Sequence, residues 1–242
     1  MQQTNVLEYL EKTVLRVPEK IAFSNGEENL TFSDVYNHSR AIGSYLAKSG
    51  YYNEPVVVFM RKHPKCIPAF YGTMYGGCYY VAIDEEMPRF RIELIFQNLK
   101  PRVMICDVNT AEVAKEFDFT GETLLYDEVT ATAIDEAALT SIRDRQLDTD
   151  PIYIVFTSGS TGTPKGVMAC HRSVIDYIEH LRAAEKTWKN AAHADVTTVN
   201  IEMFGRKVYQ DVAGSNSNHP NDYMHRVYAQ TLIRTMFGDY AK

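Results

Sequence analysis

A short apolar run passes directly into a loop of glycines and small hydroxylated residues at residues 153–167, and this junction limits the chain to few folds. The segment reads Tyr-Ile-Val-Phe-Thr-Ser-Gly-Ser-Thr-Gly-Thr-Pro-Lys-Gly-Val. Glycine tolerates positive φ and lets the backbone approach a ligand closely. Backbone N–H groups and hydroxyls donate to phosphate oxygens, and a lysine adds a point charge. The segment therefore predicts a strand that leads into a polyanion-binding loop.

The residues of this loop that are suited to phosphate contact share a small side chain, a hydroxyl or a positive charge. They are Thr157, Ser158, Gly159, Ser160, Thr161, Gly162 and Lys165. The loop is not a Walker A motif, because Pro164 precedes the lysine and Gly166 follows it. The alternative interpretation is a surface loop without a ligand, which is the usual meaning of such clusters.

The loop resembles, almost letter for letter, the phosphate-loop signature of adenylate-forming (AMP-binding) enzymes. Three further segments resemble that family in its order and spacing: Leu30–Asp34, Met74–Asp84 and Pro88–Ile92. The resemblance covers residues 1–181 and is closest in character to the adenylation domains of peptide synthetases and D-alanine-activating ligases. For Gly76, Gly77 and Asp84 a purely structural role, a tight turn and a strand-end acid, is the favoured interpretation.

The resemblance implies a ligase that binds ATP with Mg²⁺ and a carboxylic or amino acid, forms an acyl-adenylate, and passes the acyl group to a thiol such as that of a carrier protein. Lys165 would act as a charge clamp and not as a nucleophile. The later Tyr-Gly-x-Thr-Glu segment of the family does not occur in the 242 residues. We therefore expect a truncated adenylation domain at residues 1–181 that binds ATP phosphates and is inactive alone.

The pattern of elements predicts an α/β fold with a mostly parallel sheet and flanking helices. The resemblance implies that this fold is part of the N-terminal subdomain of an adenylate-forming enzyme. Strands are expected at residues 56–60, 79–83, 103–106 and 153–156, separated by helices as in βαβ units. Thr31 and Asp34 are spaced to form a capping box at a helix start. Residues 134–150 are acidic and polar without a strong period, which predicts a connector.

Residues 214–230 contain Asn216-Ser217-Asn218-His219-Pro220-Asn221, and apolar residues at helical spacing follow. With this segment, residues 182–242 resemble the closing part of SGNH (GDSL-type) esterases, in which a histidine acts as general base and a helix follows. His219 matches that histidine, but Asn216 stands where the family has an aspartate, and the chain has no Gly-Asp-Ser nucleophile segment. The resemblance therefore implies a short α/β esterase-like fragment that ends in a helix. The alternatives are a locally hydrogen-bonded histidine and a non-catalytic fusion product.

Net charge, hydropathy and cysteine spacing restrict the kinds of partner and location that we expect for the chain. The net charge of −6 argues against nucleic acid as a main partner. The N-terminus is charged and lacks a signal-peptide core, and no apolar run approaches a membrane span. The four cysteines show no paired spacing for metal or redox chemistry. We therefore expect a cytoplasmic protein that does not act at membranes.

Overall fold

The computed structural model describes residues 3–157 and 164–187, with side chains as far as residue 180, and two short strands at 213–214 and 219–220. The chain divides into two units, Met1–Glu179 and His180–Lys242. The large sheet and seven of the described helices lie within the first unit.

The strands are β1 (Ile21–Ser24), β2 (Asn29–Thr31), β3 (Pro55–Phe59), β4 (Tyr79–Ile83), β5 (Val103–Cys106), β6 (Glu122–Leu125), β7 (Pro151–Thr157), β8 (Lys165–Cys170), β9 (Ala213–Gly214) and β10 (His219–Pro220). The helices are α1 (Leu7–Val14), α2 (Phe32–Lys48), α3 (Cys66–Tyr75), α4 (Arg89–Leu99), α5 (Val108–Ala114), α6 (Tyr126–Val129), α7 (Glu136–Arg145) and α8 (His171–Thr187).

Six strands form one sheet in the order β6-β5-β3-β4-β7-β8. Neighbours from β6 to β7 are parallel, and β8 runs antiparallel to β7. The pairs β1–β2 and β9–β10 form separate two-stranded antiparallel ribbons. Parallel neighbours need crossover connections, which the helices supply. This architecture confirms the predicted α/β fold with a mostly parallel sheet.

The central strand β3 is buried on both faces. Val56 and Val58 pack with α2, α3 and α6 on one side of the sheet, whereas Val57 and Phe59 pack with α4 and α5 on the other. A continuous apolar run, without polar alternation, is what a strand covered by helices on both faces requires. The result is a three-layer α/β/α core. The helices cover the faces of the sheet, so the loops at the ends of the strands are where functional residues can lie.

The capping box at the start of α2 is confirmed. The hydroxyl of Thr31 accepts a hydrogen bond from the backbone N–H of Asp34 at 3.1 Å, and the Asp34 carboxylate accepts one from the N–H of Thr31 at 2.8 Å. Two N–H groups that the helix cannot satisfy internally are thereby paired.

The prediction of a connector at residues 134–150 is wrong, because this stretch contains α7. Asp135 caps the helix by accepting from the N–H of Ala138 at 3.0 Å. Only Leu139 and Ile142 are buried, so the apolar period is too short to stand out in sequence. The helix is held by its tertiary contacts, including an ion pair of Arg143 with Glu11 at 2.5 Å.

Helices α2 and α3 cross at very short range, which requires glycine at the contact. A Cβ added at Gly72 would lie 2.6 Å from Cβ of Ile42, and one at Gly43 would lie 2.5 Å from Cβ of Tyr75. Both distances are shorter than van der Waals contact, so any larger residue forces the helices apart.

A buried histidine ties the start of the chain to α8. His171 is only 1% exposed, and its Nδ1 accepts a hydrogen bond from the N–H of Val6 at 3.2 Å. Burial, reinforced by the nearby charge of Arg143, lowers the pKa of His171 from 6.5 to about 4. The folded protein therefore holds this imidazole neutral in conditions where the unfolded chain protonates it.

We predict that His171 makes the fold acid-sensitive. Since the folded pKa is depressed, its stabilisation is present above about pH 6.5 and is lost as the pH falls towards 4, by up to about 3 kcal/mol. Chemical denaturation from pH 4 to 7 measures this loss. His171→Asn keeps an acceptor near Nδ1 but cannot titrate, so its stability should change less steeply. His180→Gln, at an exposed position of α8, should retain the wild-type slope; equal slopes for all three proteins would contradict the assignment.

We also predict that Gly72→Ala destabilises the fold by about 1–3 kcal/mol, because the new methyl group overpacks the α2–α3 contact. Urea denaturation measures the change. Asn37→Ala, at an exposed position of α2, is the matched control and should leave the stability within about 0.5 kcal/mol of wild type. A Gly72→Ala protein as stable as this control would show that the helices separate without cost.

Candidate phosphate-binding site

The predicted phosphate loop begins at the carboxyl edge of the parallel sheet. Strand β7 ends at Thr157, on the same edge as the ends of β3, β4, β5 and β6. Ligands of open α/β sheets bind at this edge. Of the predicted contact residues, Thr157 and Lys165 are described, whereas Ser158, Gly159, Ser160, Thr161 and Gly162 lie outside the described residues.

The hairpin of β7 and β8 brings Lys165 back to Thr157. The two residues are register partners, and the Thr157 hydroxyl donates to the Lys165 carbonyl at 3.4 Å. Gly166 packs closely against β7, because a Cβ added at this position would lie only 2.9 Å from Cγ2 of Ile154. The sequence analysis did not predict β8. The signal that could have found it is the short apolar run Val167-Met168-Ala169 directly after the loop.

Lys165 is exposed and forms no ion pair within residues 3–157 and 164–180, so its charge remains available to an anion. Cations on the neighbouring loops differ in this respect. Lys62, after β3, contacts Asp84, after β4, with 2.9 Å between Nζ and Oδ2, and Arg61 contacts Glu85 at 3.4 Å. The hydrogen bond from Lys62 lowers the pKa of Asp84. These pairs cancel charge and connect the two loops.

The carboxylate of Asp107, the residue directly after β5, is occupied by hydrogen bonds from backbone N–H groups. Its carboxylate accepts from the N–H groups of Asn109 at 2.7 Å, Thr110 at 2.9 Å and Arg61 at 3.1 Å. Burial alone would raise the pKa of Asp107, but these donors outweigh it and lower the pKa. The carboxylate therefore caps α5 and anchors the loop after β3.

The described residues fit phosphate better than a metal ion. Thr157 and Lys165 supply a hydroxyl and a cation at one edge, whereas Asp84 and Asp107 already have cationic or N–H partners. Among the described residues there is no group of three or more His, Cys, Asp or Glu that could hold a metal ion. The Mg²⁺ implied by the family resemblance stays a prediction.

Arg91 is a residue of this region that the sequence analysis did not select. It lies in the first turn of α4, and its guanidinium faces the carbonyl of Phe156, one residue before the end of β7. Arg91 falls within the Pro88–Ile92 segment that resembles the family, but the resemblance assigned no role to it.

His219, the candidate base of the esterase-like tail, belongs to β10 and pairs with Gly214 of β9. Its side-chain surroundings and Asn216 lie outside the described residues. The esterase-like interpretation of residues 182–242 therefore stays a prediction.

No helix in the described ranges combines the length and the apolar character needed to cross a membrane.

Comparison with known proteins identifies the first part of the chain. The family described as AMP-binding enzyme matches residues 10–204. This range passes residue 181, where the resemblance of the sequence motifs ends, so it includes part of the predicted tail.

Curated relatives include synthases and carrier-protein ligases. A plipastatin synthase subunit of Bacillus subtilis (strain 168) is 29% identical over 178 residues, which are 73% of this chain and 7% of that protein. The D-alanine--D-alanyl carrier protein ligase of Staphylococcus haemolyticus (strain JCSC1435) is 27% identical over 181 residues, 72% of this chain and 35% of that ligase. The chain thus spans about a third of such a ligase.

Solved structures agree on the fold. The nonribosomal peptide synthetase FmoA3 with α-methyl-L-serine-AMP bound superposes with a TM-score of 0.64 at 26% identity, covering 74% of this chain and 19% of that chain. VinN in complex with 3-methylaspartate gives a TM-score of 0.62 at 22% identity, covering 75% of this chain and 52% of that chain.

Because the family match extends over residues 10–204 of 242, well over half of the sequence, this chain belongs to the AMP-binding enzyme family.

Proposed function

We propose that this chain provides the ATP phosphate-binding part of an acid-activating, adenylate-forming ligase. The loop from Thr157 to Lys165, with Ser158, Gly159, Ser160, Thr161 and Gly162 between them, would hold the phosphates. The observation that carries the proposal is the pairing of Thr157 with Lys165 at the carboxyl edge of the sheet, where Lys165 has no carboxylate partner among the described residues.

The chemistry of the family accounts for this arrangement. A carboxylate oxygen attacks the α-phosphate of ATP, and pyrophosphate leaves. Two anions must meet, so cations and N–H donors have to neutralise charge as it develops. Mg²⁺ would supply further neutralisation of the phosphates. Within this scheme Lys165 binds and orients the departing phosphates, and the Thr157 hydroxyl helps to hold Lys165 in place through the hydrogen bond that it donates to the Lys165 carbonyl.

The class of the second substrate follows from the relatives. FmoA3 is described with an amino-acyl adenylate and VinN with an amino acid, and the staphylococcal ligases act with a D-alanyl carrier protein. We infer that the parent activity takes a carboxylic or amino acid and delivers it to a carrier-protein thiol.

We further propose that the 242 residues by themselves bind without turning over. The Tyr-Gly-x-Thr-Glu segment, which the resemblance assigns to adenine and magnesium, does not occur in them. Positioning of both reactants supplies much of the rate of such reactions. A phosphate loop alone clamps one end of one substrate, which supports affinity and not catalysis.

We predict that Lys165→Ala weakens the binding of Mg-ATP and of pyrophosphate by roughly tenfold to a hundredfold, the usual contribution of a hydrogen bond to a charged group. Isothermal titration calorimetry measures both affinities. Lys115→Ala, which removes a lysine from the surface just after α5, is the matched control and should bind like wild type. Undiminished binding by Lys165→Ala, with folding intact, would remove Lys165 from the site.

We also predict that the 242-residue chain does not support pyrophosphate–ATP exchange with any of the standard amino acids. The radioactive exchange assay measures this, with a full-length D-alanine ligase as positive control. Exchange at a rate comparable with that control would show that the missing segments are not needed and that the chain is a working enzyme.

A further inference from the structure

A partly open cavity lies against the sheet, beneath helices α1, α3 and α8. Its volume is about 250 Å³, and its walls come from α1, β1, α3, β4, β7 and α8. All of the residues that line it are described, and none of them is charged. Neither Thr157 nor Lys165 lines it, so the cavity is separate from the candidate phosphate site.

Three tyrosine hydroxyls of this cavity have no hydrogen-bond partner among the described residues. They belong to Tyr71 on α3, Tyr80 on β4 and Tyr153 on β7. Tyr75, one helical turn from Tyr71, behaves differently, because its hydroxyl donates to Glu11 at 3.1 Å. A tyrosine hydroxyl within a fold usually finds such a partner. Three unpaired hydroxyls in one cavity therefore mark it as a place where a further acceptor fits.

These hydroxyls are accessible and lie close together. Among the described residues, the side-chain polar atom that is both buried and without a partner is Nε of Arg91, so the three hydroxyls open onto accessible space. The rings of Tyr80 and Tyr153 lie 5.6 Å apart, measured between their centroids. Burial raises the pKa of Tyr80 to about 12, and the nearby phenols of Tyr153 and Tyr71 add to the rise. The three donors thus converge on the same space.

The other walls of the cavity suit an aromatic ring. Phe70 stacks on Tyr80 with 4.3 Å between the ring centroids, and Val174 and Ile178 of α8 contribute apolar surface. A cavity of about 150 Å³ with apolar walls holds a benzene molecule. The volume of about 250 Å³ therefore has room for one ring with a small substituent.

The absence of charge on the lining residues restricts the ligand further. A buried charge without a partner is costly, so an ion is disfavoured in this cavity. Hydroxyls that have no acceptor in the protein favour a ligand that carries one. Complementarity in charge and in hydrogen bonding thus points to the same class of molecule.

We propose that this cavity binds a small, uncharged aromatic molecule that carries a hydrogen-bond acceptor such as a carbonyl oxygen. The ring packs against the apolar walls, and the phenol hydroxyls donate to the acceptor. The carboxylate of an acid substrate finds no cation here, so the ligand is not the second substrate of the proposed reaction. The inference does not rest on the proposed function.

The test uses acetophenone as the probe and the 242-residue chain as the protein. Titration followed by saturation-transfer NMR should give a dissociation constant of about 1 mM or lower. Benzoate has nearly the same shape but carries a charge. It should therefore displace acetophenone at least about tenfold less effectively.

Two substitutions on α8 locate the probe. Val174→Phe fills the cavity and should abolish acetophenone binding while the melting temperature is retained. If Val174→Phe melts at a lower temperature, Ile178→Phe, one turn further along the same helix, repeats the block. Both residues line the cavity.

Three conservative substitutions test the hydroxyls. Tyr80→Phe and Tyr153→Phe keep the rings and should each weaken acetophenone binding about threefold to tenfold, without lowering the melting temperature, because neither hydroxyl has a protein partner to lose. Tyr79→Phe is the matched control. Tyr79 is the neighbour of Tyr80 on β4 but packs on the opposite face of the sheet, so this variant should bind like wild type.

Each contrary result overturns the inference at a different step. A wild-type chain that does not bind acetophenone shows that the cavity does not take this class of ligand. Binding that survives Val174→Phe and Ile178→Phe places the probe elsewhere. Binding that is unchanged in both Tyr80→Phe and Tyr153→Phe shows that the hydroxyls do not recognise the acceptor.

Discussion

The parallel pairing of β3 with β4 and β5 is the constraint on which the other features depend. Register partners such as Phe59–Ile83 and Phe59–Cys106 bring three strands to an end at one edge. Parallel strands cannot be joined by tight turns, so helices must cross both faces, and the central strand becomes apolar throughout. The same geometry collects the loops after the strands, together with the end of β7, into a single candidate site.

Charge at this edge is arranged so that most of it is already neutralised. Between two loops, Lys62 pairs with Asp84 and Arg61 with Glu85. Asp107 accepts hydrogen bonds from backbone N–H groups. These contacts are electrostatic supports that hold the loops in place. Lys165 on the hairpin differs from them, because it is exposed and has no carboxylate partner among the described residues, so we propose it as the cation that an incoming polyanion contacts.

The family assignment and the extent of the chain are separate matters. The match at residues 10–204 establishes the AMP-binding enzyme family, whereas the role of the segment after β7 is a proposal. The same chain corresponds to 35% of a D-alanine ligase and to 7% of a large peptide synthetase. Phosphate binding, acid activation and acyl transfer by this chain are therefore proposals, the first argued from the local geometry of β7 and β8 and the other two from the relatives.

The sequence by itself determined the features that depend on local chemistry: the capping box of Thr31 and Asp34, and the apolar strands, including the strand that precedes the glycine-rich segment. Each relies on residues close together in the chain, so its pattern is visible without a fold. Tertiary structure alone decided the helix at Glu136–Arg145 and the place of Arg91. These depend on partners far away in sequence, such as Glu11 for Arg143 and Phe156 for Arg91, and no local pattern encodes a contact over that separation.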